Sequence, residues 1–159
     1  MTRTAYVNIG SNIGDSMALI GRAVAAIGRR FGAVRASRPV VSKPWGFESS
    51  NDFVNVGVVF TTDLPPDQLL EELLEIQDAI STTAHRNADG TYRDRQIDID
   101  LIALDWEIRN SPALTLPHPR MALRPFVLEP LAELWPQWRH PLTGLTASAM
   151  LSLLDETQS

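Results

Sequence analysis

The 159-residue chain contains no cysteine, which excludes disulfides and thiolate metal sites. Lysine is almost missing as well. Lys43 is the single lysine among 14 basic residues, an imbalance from which no function is read. An excess of positive charge is also lacking: the net charge is −5 and the isoelectric point is about 5.1. That excludes a nucleic-acid binder that works through bulk electrostatics. No run of about 18 apolar residues exists, so no segment is suited to span a membrane. The N-terminal stretch has no basic-then-apolar leader pattern, because Asn8, Asn12 and Asp15 interrupt it early. With 44% hydrophobic residues, the expectation is one domain over residues 1–159 with a genuine core, in the cytoplasm. Nothing in the sequence calls for more than a monomer.

What is present centres on Arg93-Asp94-Arg95-Gln96-Ile97-Asp98-Ile99-Asp100-Leu101, an arginine-rich approach to a strand alternating acid and aliphatic residues. Successive strand side chains point to opposite faces. Asp98 and Asp100 therefore share one face, and Ile97, Ile99 and Leu101 share the other. Two carboxylates at i and i+2 lie about 6.5 Å apart, a spacing that can hold one or two hard cations such as Mg²⁺ when phosphates complete the shell. The upstream arginines suit phosphates through bidentate donors. The same alternation also describes a half-exposed strand with both aspartates solvated.

The rest of the chain reads as alternating strands and helices. Residues 4–9 form a strand with Ala5, Val7 and Ile9 on one face and Tyr6 and Asn8 on the other. Gly10 then gives a sharp turn, and Asp15 or Ser16 caps a helix over 17–31. A strand over 34–42 is broken near Pro39, as an edge or bulge would be. The loop from Lys43 to Asp52 carries two large aromatics, Trp45 and Phe47. The clearest strand spans 53–61. Val54, Val56, Val58 and Phe60 line its apolar face, while Phe53 and Asn55 on the other offer a ring for stacking and an amide with donor and acceptor, a pattern that equally describes an aromatic packed on that sheet face. Pro65-Pro66-Asp67 opens a helix to residue 80. A polar loop follows from Ser81 to Arg95. A short strand over 106–109, an extended run over 114–120 and helices over 124–134 and 147–154 complete the chain, with a frayed tail from 155. The order β-α-β-β-α-β gives an α+β, ferredoxin-like antiparallel sheet with helices on one face and C-terminal helical additions. The opposite face is left for ligands, with Phe53 and Asn55 on it from one strand and Asp98 and Asp100 from another.

Gly10-Ser11-Asn12, Pro44-Trp45-Gly46, Phe53-Val54-Asn55, Arg95-Gln96-Ile97-Asp98-Ile99-Asp100, Pro117-His118-Pro119-Arg120 and Arg124-Pro125-Phe126 occur in this order. In that order and spacing the chain resembles the 6-hydroxymethyl-7,8-dihydropterin pyrophosphokinases of folate biosynthesis, over roughly residues 5 to 135. The resemblance implies transfer of pyrophosphate from ATP to a hydroxymethyl-dihydropterin, with release of AMP. It implies two Mg²⁺ ions on Asp98 and Asp100, and Arg95 and His118 as further catalytic residues. It places the pterin ring between Phe53 and Phe126, beside Asn55 and the Ser42, Pro44 and Trp45 loop. ATP would meet Arg95, His118 and Arg124, with Arg86 and Tyr92 on the nucleotide side and Leu70, Leu101 and Thr115 around adenosine. The chain departs from the family at Gln77 and at Ser81-Thr82, where many members carry Glu and Gly-Arg; Arg86 or His85 is the candidate replacement for that arginine. A non-catalytic pterin- or nucleotide-binding relative is the alternative this departure leaves open.

Overall fold

A computed structural model of the chain describes residues 1–43, 52–81 and 96–158, with side chains as far as Glu156. Its centre is β1 (Arg3–Ser11), flanked by β4 (Phe53–Thr62) and β5 (Asp98–Leu104), with β2 (Val34–Ala36) and β3 (Val40–Ser42) both paired to β4. Every pairing in this sheet is antiparallel and the path runs β2-β4-β1-β5. The strand expected over 34–42 is thus two short ones. In the gap, where Pro39 has no N–H to give, Ser37 keeps the sheet satisfied: its hydroxyl accepts from Gly57 N–H and its own N–H donates to the Gly57 carbonyl.

Helices α1 (Ser16–Phe31) and α2 (Pro66–Ile80) cover one sheet face. Ile20, Ala23 and Ile27 from α1 and Leu69, Leu73 and Ile80 from α2 are buried with Val7, Ile9, Val58, Ile99 and Leu101 in one core. Asp15 supplies the cap of α1, accepting from Ala18 N–H, and Ser16 begins the helix. Gly10 does not turn the chain. It lies inside β1, and the left-handed glycine of that segment is Gly14, at φ 73°.

A second core sits on the opposite face, where Tyr6, Val59, Ile102 and Ala103 pack against α3 (Pro125–Leu134), Trp138, and Ala147 and Met150 of α4 (Ala147–Gln158). The C-terminal additions therefore cover one end of the face expected to be open and leave the other end free. A bulge makes this possible. Val7 pairs with Leu101 and Tyr6 with Ala103, so Ile102 is an extra residue in β5 and both Ile102 and Ala103 turn toward α3. The strand expected over 106–109 shrinks to β6 (Arg109–Asn110), which pairs with β7 (Thr115–Leu116). Asp105, at φ 46°, and Trp106 form a turn before it. The C-terminal segment expected to fray is helical to Gln158.

Candidate active site

The free end of the second sheet face is the floor of a cavity of about 770 Å³. Strand register arranges that floor in two rows. Gly10 of β1 stands between Asn55 of β4 and Asp98 of β5. Asn8 stands between Gly57 and Asp100. Two strand spacings, about 9.5 Å, thus separate Asn55 from Asp98, and no side chain rises between them. A side chain at Gly10 would crowd this floor: its Cβ would sit 3.1 Å from Asn55 Oδ1 and 3.5 Å from Phe53 Cδ1.

Phe53 starts β4, faces Ser42 of β3 in register, and lines the cavity on the Asn55 side. Asn55 is buried, and its Nδ2 donates to Val40 O at 3.1 Å and to Ser42 Oγ at 2.8 Å. Both amide donors are thereby committed to the described scaffold, and the remaining capacity of the amide is that of an acceptor at Oδ1. Phe126 closes this side from the first turn of α3, with the Arg124 guanidinium 5.7 Å from its ring centroid.

Asp98 and Asp100 line the opposite side, both half-buried. Among the described residues no group of three or more His, Asp or Glu converges on a metal position. A cation here would take two protein carboxylates and complete its shell from elsewhere. Hard oxygen donors of that number fit Mg²⁺, which keeps water and substrate phosphates as ligands. The backbone between the pair is tied down from the sheet's free edge: Ile99 N–H donates to Gln77 Oε1 of α2 at 2.8 Å.

His118 is placed by the bulge. Its N–H donates to the Ile102 carbonyl at 2.8 Å, and its Nδ1 accepts from Arg120 N–H at 3.2 Å. With Nδ1 accepting, the neutral ring carries its proton on Nε2. Burial first, then the charges of Arg124 and Arg120, push its pKa down to about 4, against a smaller opposing pull from Asp98. His118 is therefore a neutral donor in this cavity and not a cation. Burial also lowers the Arg124 guanidinium, while Asp100 and Asp98 favour its charged form.

The cavity brings together Ser42, Phe53, Asn55, Asp98, Asp100, His118, Arg124 and Phe126, with Leu70, Leu101 and Thr115 at its α2 and β7 end. Pro44, Trp45, Arg86, Tyr92 and Arg95 lie outside the described residues. Asn8, Gly10 and Arg120 also line the cavity, and the sequence reading gave them no role there. The one available signal was Asn8, an amide in a strand whose neighbours Val7 and Ile9 are core residues.

A family model described as 7,8-dihydro-6-hydroxymethylpterin-pyrophosphokinase matches residues 6–136. A 2-amino-4-hydroxy-6-hydroxymethyldihydropteridine pyrophosphokinase of Porphyromonas gingivalis is 38% identical, the match covering 86% of this chain and 92% of that one. The protein of the same name from Methylorubrum extorquens is 36% identical over 98% of this chain and 95% of its own. Among solved structures, a Plasmodium falciparum HPPK-DHPS superposes with a TM-score of 0.73 at 14% identity. The match covers 99% of this chain and 42% of that longer one, so the likeness is one of fold. On these matches the chain belongs to the 7,8-dihydro-6-hydroxymethylpterin-pyrophosphokinase family of ATP-dependent enzymes.

Proposed function

We propose that the cavity transfers the β,γ-diphosphate of ATP to the hydroxymethyl oxygen of 6-hydroxymethyl-7,8-dihydropterin. The observation that carries this reading is the floor itself. A flat site with one amide acceptor and two rings lies two strand spacings from a carboxylate pair, with a glycine between them.

The pterin stacks between Phe53 and Phe126, and Asn55 Oδ1 accepts from an N–H on its edge. That orientation lays the hydroxymethyl arm across Gly10 toward Asp98 and Asp100. Two Mg²⁺ ions held by these carboxylates would neutralise phosphate charge and make the hydroxyl easier to deprotonate. The hydroxyl oxygen bonds to the β-phosphorus, the bond from that phosphorus to the bridging oxygen breaks, AMP leaves with the bridging oxygen, and the hydroxyl proton passes to solvent. His118 Nε2–H and Arg124 donate to phosphate oxygens, and Arg95, three residues before Asp98 in sequence, adds a third donor. Leu70, Leu101 and Thr115 bound the adenosine. Arg86 and Tyr92 are proposed for the nucleotide side, and Pro44 and Trp45 for the pterin side, on resemblance. No side chain has to serve as nucleophile, because such transfers rest on alignment and charge neutralisation.

The test is product identity. AMP should form from ATP only when Mg²⁺ and the hydroxymethyl-dihydropterin are both present. ADP as product, or AMP release without the pterin, overturns the proposal.

A further inference from the structure

Helix α3 carries Phe126 and is preceded by Arg124, the two groups it brings to the cavity, yet its first turn lacks a normal internal bond. In an α-helix the carbonyl of residue 126 accepts from the N–H of residue 130. Residue 130 is a proline inside the helix, so that donor does not exist. Asn8 Nδ2 donates to the Phe126 carbonyl instead, at 3.0 Å.

The surroundings make this a built joint. Asn8 is 4% exposed, and its register partner on β5 is Asp100. Its partner on β4 is Gly57, where an added Cβ would meet Pro130 Cβ at 2.6 Å, so the proline rests directly on the sheet beside Asn8. Two residues earlier on β1, the Tyr6 hydroxyl donates to the next carbonyl, Val127 O, at 2.7 Å. Consecutive carbonyls of the first turn are thus held by alternate side chains of one strand. Val127 also has its helical partner in residue 131, whereas Asn8 supplies what the proline withholds.

We infer that Asn8 is a positioning residue for the pterin side of the site. It fixes the pitch of the first turn of α3 through the carbonyl that Pro130 leaves without a helical donor, and so sets Phe126 and Arg124 against the Asp98 and Asp100 strand. This rests on the pterin reading above for its effect on binding, but not for its effect on the helix.

The experiment is a double-mutant cycle between Asn8→Ala and Pro130→Ala, since an alanine in place of Pro130 restores an N–H while keeping the Cβ that packs over Gly57. Pterin affinity is measured by calorimetry, KM and kcat by AMP release, and the backbone by amide hydrogen exchange in the first turn of α3. Asn8→Ala alone should weaken pterin binding by about tenfold and raise its KM, with the KM for ATP changing less. Exchange at Val127 and Leu128 should quicken by a similar factor. On the Pro130→Ala background the same change should cost less than about threefold, because the helix then satisfies its own carbonyl. An equal cost on both backgrounds, or unchanged exchange in the α3 turn, overturns the inference. If the parent chain gives no pterin-dependent AMP, the functional reading fails instead, and the exchange cycle still decides the role of Asn8.

Discussion

Gly57→Ala offers a sharp test of how α3 is docked. A methyl at this position would fall 2.6 Å from Pro130 Cβ, 2.7 Å from Tyr6 Oη and 2.8 Å from Tyr6 Cε1. Carbon atoms in contact prefer about 3.5–4.0 Å, so roughly 1 Å has to be found. Tyr6 has little room to yield, being fully buried with its hydroxyl donating to Val127 O. Pro130 can yield only with α3, whose Val127, Leu128 and Leu131 are buried beside it. Overpacking of this kind costs about 1–3 kcal/mol, and a strained or broken Tyr6 bond adds about 1 kcal/mol. A total near 3 kcal/mol lowers Tm by about 6–12 °C in a chain of this size. Gly21→Ala on the exposed side of α1 is the control. It meets nothing within 4 Å and should stabilise by about 0.5–1 kcal/mol, since glycine is the costlier residue in a helix. Calorimetric melting of both variants is the assay. A Gly57→Ala chain that melts with the parent refutes the docking argument.

Asp98→Ala should reduce turnover by about 10²–10³-fold or more while leaving the melting temperature nearly unchanged, because a half-buried acid facing a cavity adds little to the core; loss of folding, seen by circular dichroism, would mark it as structural. Phe53→Ala should weaken pterin binding by about tenfold and leave the KM for ATP nearly unchanged, and an equal loss for both ligands in a steady-state assay would contradict the stacking role. His118 has a folded pKa of about 4, below its unfolded value of about 6.5, so the unfolded chain binds more protons between these values. Its neutral form therefore favours folding increasingly as pH rises from about 4 to 6.5, with no further change above. Denaturant titrations should show that part of the pH dependence flattened in His118→Gln.

The face assignments were legible in advance because side-chain alternation is local. Val56, Val58 and Phe60 of β4 and Ala5, Val7 and Ile9 of β1 lie in the first core as their spacing required. The stripes of α1 and α2 were readable for the same reason, at helical period. The single strand expected over 34–42 failed at Ser37 to Pro39, where a side-chain hydroxyl substitutes for a backbone partner, an exchange that depends on where Gly57 lies. Of the loop residues, Trp45 and Arg95 stand on residue type and resemblance, and Pro44, Arg86 and Tyr92 on resemblance alone.

Sequence alone settled that Asp98 and Asp100 share one face, that Phe53 and Asn55 share one face, and that each face has apolar residues behind it. The β-α-β-β-α-β plan also put both pairs on the ligand face, but it fixed neither their separation nor their alignment. Their meeting required the order β4-β1-β5 and the register that sets Gly10 between Asn55 and Asp98. The extra residue at Ile102, which turns part of β5 toward α3 and lends its carbonyl to His118, is likewise a product of pairing. Gly10 read as a turn and proved to be a floor. Asn8 read as one polar residue in a strand and proved to be the donor for a carbonyl 118 residues away. Periodicity belongs to one segment of backbone and can be read from it. Register and the filling of a missing hydrogen bond belong to pairs of segments, and only packing decides which pairs exist.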